Sequence, residues 1–189
     1  MRRMILFVLA LAAALVLMPS AAVADPNNES ATFMLLIEVP NVSQAPNGDQ
    51  VAVTGEGEFS VHSKSVDAAG RFTHTDSHGA VLAAGAWEAT QLLSYEFYGC
   101  GSVPAIGADL PDNLCGGALK LAVNLTPDGT TLELKGVLTI FCVIGPQAPP
   151  THDNPTEPGE EGIHLVVPGN ANFNQIVSGM NVYIQMPSP

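Results

Sequence analysis

Positive charge is scarce in this chain of 189 residues, where six Lys and Arg stand against eighteen Asp and Glu. The net charge of −12 repels phosphate backbones and anionic lipid heads, so nucleic acid is not expected as a partner. Catalytic and cofactor signatures are missing too. The sequence holds no His-Glu-x-x-His and no Cys-His spacing for zinc. It holds no Gly-x-Ser-x-Gly elbow, and the glycines of "GEGEFS" sit inside a strand pattern rather than in a dinucleotide loop. Helical periodicity is absent from the mature chain. Beyond residue 18 no apolar run approaches the roughly 20 residues a spanning helix needs.

What is present begins with an export signal. Arg2 and Arg3 precede an unbroken apolar run from Met4 to Met18, Pro19 ends it, and Ala22-Val23-Ala24 forms a small-residue cleavage site. No Cys near Ala24 offers a lipid anchor, and the residues around the arginine pair point to general secretion. Residues 1–24 are therefore expected to be a cleaved signal peptide, and residues 25–189 a single domain. That domain has 189 − 24 = 165 residues, enough to bury about two-thirds of its unfolded surface. Only Lys64, Arg71, Lys120 and Lys135 then remain against eighteen acids, giving 4 − 18 = −14. The expected location is secreted or extracytoplasmic, with no stable membrane insertion after cleavage.

An oxidising compartment makes one disulfide and one leftover thiol the expectation for Cys100, Cys115 and Cys142. Three pairings are open. Cys100 and Cys115 flank the turn-rich "CGSVPAIGADLPDNLC", which favours that bridge. Cys142 lies in the apolar "LTIFCVIG" and reads as a buried, inert small hydrophobe. A nucleophilic thiol would need an electropositive setting, and no cation is nearer in sequence than Lys135.

The mature chain alternates strand patterns with turns. "TFMLLIEV", "QVAVTGEGEFSVH", "RFTHT", "AVLAAGAWEA", "GALKLAVNL", "TLELKGVLTIFCVIG", "IHLVV" and "MNVYIQM" read as strands. "PNVSQAPNGD" reads as a loop, "SVDAAG" and "DSHG" as turns, and "TPDGT" as a hairpin mark. Ala89 to Tyr98 suits helix and strand alike, and "ANFNQIVSG" suits a short helical turn. Residues 146–162 form a Pro-rich acidic loop. The expected fold is all-β, with about eight mostly antiparallel strands. The second strand carries Gly55 and Gly57 where its buried face should carry side chains. Such notches let a strand coil and leave room for bulk from elsewhere, with Trp87 the candidate and Gly85 a second notch beside it. Curved strands of this kind favour barrel-like closure over a two-sheet sandwich.

"GRFTHTDSHGAVLAAGAWEATQLLSYEFYGCG" and "LPDNLCGG" resemble stretches of small exported bacterial all-β proteins. That resemblance covers most of the mature chain and implies no activity or site. The general layout is also similar to eight-stranded barrels such as the allene oxide cyclases, without an identifying motif.

"FTHTDSHG" is the stretch richest in reactive groups. On a strand Phe72, His74 and Asp76 share a face, and a His beside a carboxylate serves as a general base or metal ligand. The plainer reading is a hairpin end with polar residues at its tip. His74, Asp76 and Glu88 are the catalytic candidates. Glu56 and Glu58 share a strand face at glycosidase-like spacing, but Thr54, Ser60 and His62 beside them read as a solvated outer face. Asp109, Asp112 and Asn113, or Glu157, Glu160 and Glu161, offer oxygens for calcium, yet neither set has the spaced Asp-rich pattern. No metal and no cofactor is expected. Asn28, Asn41 and Asn124 head glycosylation patterns. The leading expectation is a non-enzymatic exported module that binds an apolar small molecule or an extracellular surface component. The alternative is a barrel isomerase or cyclase acting on a hydrophobic substrate.

Overall fold

A computed structural model describes residues 31–149 and 161–187; residues 1–30, where the export signal is expected, residues 150–160 of the Pro-rich loop and residues 188–189 lie outside these described residues. The described chain is all-β, with every pairing antiparallel and no helix. In order the strands are β1 (Thr32–Gln44), β2 (Gln50–Ser60), β3 (Ser65–Thr75), β4 (Val81–Cys100), β5 (Ser102–Val103) and β6 (Ala108–Asp109). They continue as β7 (Leu114–Pro127), β8 (Leu134–Cys142), β9 (Gly162–Val167), β10 (Ala171–Phe173), β11 (Gln175–Ser178) and β12 (Asn181–Gln185).

Twelve strands thus replace the expected eight. The extra ones are short: β5 and β6 pair within the cysteine loop, and β10 and β11 occupy the "ANFNQIVS" stretch expected to form a helical turn. Ten strands make one sheet, ordered β10-β9-β8-β7-β12-β1-β2-β3-β4, with β11 on β1 and a further pairing of β4 with β7.

Two local readings also change. "SVDAAG" is not a turn but the start of β3, opposite Ser60 back to Gly55; the chain reverses at residues 61–64, where Lys64 takes a φ of 51°. Small residues signal a turn in isolation, but here they let β3 lie close against the glycines of β2. Likewise β1 runs through Pro40 instead of stopping before it. The register against β2 slips between Ile37 and Asn41, and a bulge is where a strand tolerates proline. Before the slip Phe33, Leu35 and Ile37 face inward; after it the inward positions are Asn41 and Ser43.

Of the two notches of β2, Gly55 is filled by Trp87 as expected, whereas Gly57 lies against Asp67 and Ala68 of β3. Trp87 is 1% exposed and its Nε1 donates to the Thr54 carbonyl at 2.8 Å, which satisfies the indole N–H on burial. A β-carbon on Gly55 would collide with the Trp87 ring, and one on Gly70 would stand 2.6 Å from Trp87 Nε1. On one side of Trp87 the core is aromatic. Phe59 stacks on Phe33 at 5.2 Å and meets the rings of Tyr95 and Tyr183 edge-on at 4.9 and 5.6 Å. Buried Tyr183 donates to the Ile140 carbonyl at 2.8 Å.

The buried polar positions are connected. Asn41 Nδ2 donates to Asn181 Oδ1 at 2.7 Å, and Asn181 Nδ2 donates to the carbonyls of Phe141 and Gly162 at 2.9 and 3.1 Å. Glu161 joins them, accepting from the backbone N–H of Val143 at 3.0 Å and of Asn181 at 3.1 Å. Glu161 is therefore not an acidic loop tip offering oxygens to calcium; it binds the end of β8 to the start of β12. Burial raises its pKa above the ordinary carboxylate value. The glycosylation pattern at Asn41 is likewise occupied, since that side chain is wholly buried.

Candidate functional site

At the far side of Trp87 from the aromatic cluster residues, β3 presents Phe72 and then His74 on its inner face. His74 stands opposite Val51 of β2 and Ala83 of β4. The inner face of β2 extends by alternation from Val51 back to Asp49, in the turn before the strand. That register brings Asp49 to His74: Oδ2 lies 3.4 Å from the imidazole Nε2, at an angle that makes no hydrogen bond. Asp49 Oδ2 accepts instead from Asn47 Nδ2 at 2.9 Å. Phe173 of β10 meets the His74 ring edge-on at 5.1 Å.

His74 and Phe173 border a cavity of about 230 Å³, whereas Asp49 stands behind the imidazole and is not part of the lining. Its lining comes from seven strands, β2, β3, β4, β7, β8, β9 and β10, and is mostly apolar: Val51, Phe72, Leu125, Leu134, Leu165 and Phe173 form much of the wall. His74 and Asn170 are the lining residues whose side chains carry hydrogen-bonding groups. Concave apolar walls with few polar groups are the usual make-up of a small-molecule site.

The other two catalytic candidates lie elsewhere. β3 ends at Thr75, and Asp76 belongs to the turn that follows, where Oδ1 accepts from the backbone N–H of His78 at 2.8 Å and of Ala80 at 2.9 Å. This is a side chain shaping its own turn. Glu88 follows inward-facing Trp87 and is exposed on the outer face, between Ala69 and Asn124. Glu56 and Glu58 are also exposed. They border two open hollows outside the sheet, of about 580 and 420 Å³, over Gly55, Gly57 and Ala69. Asp109 ends β6 and Asp112 and Asn113 lie in the turn before β7, all three exposed. Among the described residues no three His, Cys, Asp or Glu side chains converge as metal ligands.

The cysteines pair as Cys100–Cys115, across the end of the β4–β7 ladder. Cys142 is a free, fully buried thiol whose Sγ lies 3.5 Å from the Cys115 carbonyl. Burial pushes its pKa well above the ordinary thiol value, and the neighbouring Glu161 carboxylate adds to the rise. No helix among the described residues is long and apolar enough to cross a membrane.

Asp49 is the site residue that sequence reasoning missed. The signal was available in the pairing of β2 with β3: once Gly55 is set opposite Gly70, Val51 falls opposite His74 and Asp49 follows one alternation further. Fold and cavity together define an all-β protein with a mostly apolar cavity between its strands. No family model, no curated protein and no solved structure matches the chain.

Proposed function

We propose that this protein is an exported all-β module that binds a small apolar molecule in the cavity beside His74, without transforming it. The observation that carries this reading is the convergence of apolar side chains from seven strands on one cavity. Barrel-like closure of the sheet belongs to the same proposal. It is supported by the circuit of pairings from β1 through β2, β3, β4, β7 and β12 back to β1. The disulfide supports an extracytoplasmic setting, because such bonds persist in oxidising compartments. The acidic chain disfavours nucleic acid as a partner. Native mass spectrometry of protein purified from its host tests the binding reading. A copurified small molecule, lost on replacing Leu165 with Arg, is the expected result; bare protein from every preparation would overturn it.

A second reading, an isomerase or cyclase acting on a hydrophobic substrate, is favoured by one contact. The 3.4 Å approach of Asp49 to His74 places a carboxylate beside an imidazole at an apolar cavity, the arrangement that steadies a general base. Turnover of a panel of hydrophobic substrates, abolished by His74→Ala and retained in Glu88→Gln, would establish this reading over simple binding.

A further inference from the structure

We infer that Asp49 makes this cavity selective for a compact uncharged ligand, an alcohol or ketone of about nine heavy atoms, over the matching carboxylate. The selectivity rests on the cavity being a binding site. Size follows from volume: an apolar cavity of roughly 150 Å³ accommodates benzene, so one of about 230 Å³ holds about nine heavy atoms at the same density.

Charge follows from the surroundings. None of the four cations among the described residues, Lys64, Arg71, Lys120 and Lys135, lines the cavity. Arg71 is paired with Asp128 at the exposed surface. Protonated His74 would already be matched by Asp49, and neutral His74 leaves the Asp49 charge unopposed. In either state an anionic ligand meets apolar walls, a carboxylate behind the imidazole and no surplus positive charge. Burying it there carries both a desolvation cost and a like-charge repulsion. An ammonium group gains attraction from Asp49 but loses its hydration against the same apolar walls. A hydroxyl or carbonyl avoids these costs and finds a polar partner in the Asn170 amide or the imidazole edge.

The test is an amide NMR titration of the intact disulfide-bonded protein with benzyl alcohol, benzoate and benzylamine, read at Val51, Phe72 and Ala83. Benzyl alcohol is expected to bind at least about tenfold more tightly than benzoate, the scale of a like charge about 12 Å away at an effective dielectric of about 20. Asp49→Asn is expected to tighten benzoate about tenfold and to leave benzyl alcohol within about twofold. Equal wild-type affinities, a ratio unchanged by Asp49→Asn, or tighter binding of benzylamine than of the alcohol would overturn the selectivity while leaving the binding reading in place. If none of the three shifts these amides, the cavity is not a binding site and both fall. Should Asp49→Asn fail to fold, Asp49→Ser carries the same comparison, and equal wild-type affinities overturn the selectivity by themselves.

Discussion

Cys115 stands opposite Tyr183 where β7 meets β12, and its sulfur is bonded to Cys100 on β4. One residue thus joins three strands, at a junction where the β7–β12 ladder has only two residue pairs. Closing a loop of sequence separation 15 contributes about 3 kcal/mol in the chain-entropy model. Replacing both Cys100 and Cys115 with Ser is expected to lower unfolding stability by about that amount, measured by denaturant titration. An unchanged midpoint would show that the β7–β12 junction holds without its covalent tie.

Trp87 against Gly55 and Gly70 supplies a second expectation. A β-carbon at Gly70 meets the Thr54 carbonyl, Gly55 Cα and the indole, two of them backbone groups with little freedom to move. Gly70→Ala should cost about 3 kcal/mol, the upper end for overpacking a close-packed site. Gly136→Ala, whose β-carbon would meet Leu125 Cδ1 and the Val166 carbonyl oxygen at 3.1 Å each and so ask for shifts of only a few tenths of an ångström, should cost about 1 kcal/mol. Because Trp87 is the single tryptophan, its emission reports the site directly: blue-shifted and poorly quenched in the wild type, red-shifted in Gly70→Ala.

All three tyrosines titrate late. Burial raises Tyr98 to about 12 and pushes Tyr95 and Tyr183 well above their ordinary value of 10.0. An unfolded chain releases these protons from about pH 10, whereas the folded chain holds the Tyr98 proton to about pH 12. The unfolded state therefore binds fewer protons in this window, and stability falls as pH rises through it. Tyrosinate absorbance is expected to stay low at pH 10.5 and to appear together with unfolding. A smooth titration centred at pH 10.0 in folded protein would contradict the buried placement.

Cys142 is expected to resist alkylation. A wholly buried thiol whose pKa is raised by burial and by Glu161 supplies neither access nor thiolate at neutral pH. Labelling should proceed at the rate of unfolding and become fast only in denaturant, as mass spectrometry would record. Rapid labelling of the native protein would show that the end of β8 opens.

Alternation made most of the strands legible, since Val51, Val53 and Phe59 on β2 and Leu119, Leu121 and Val123 on β7 keep a period of two. It failed where the register slips. β4 changes step against β7 between Ala89 and Gln91, Leu92 and Ser94, and Phe97 and Gly99, so its apolar residues mimic a helical spacing over Ala89–Tyr98. Pro40 and Asn41 read as a loop because their local chemistry says so; a bulge and a buried amide network keep them in β1. His74 could be singled out from its own neighbourhood in sequence. Its partner shows only once the β2–β3 register is set, because Asp49 is 25 residues away and reaches it through that pairing.

That pairing is local, but the sheet as a whole is not. β1 finds its β12 neighbour only at the other end of the polypeptide, Leu35 facing Tyr183 across 183 − 35 = 148 positions. The first strand therefore gains its second flank only after β12 has been made, and a sheet closed by so distant a pair must search slowly for its final partner.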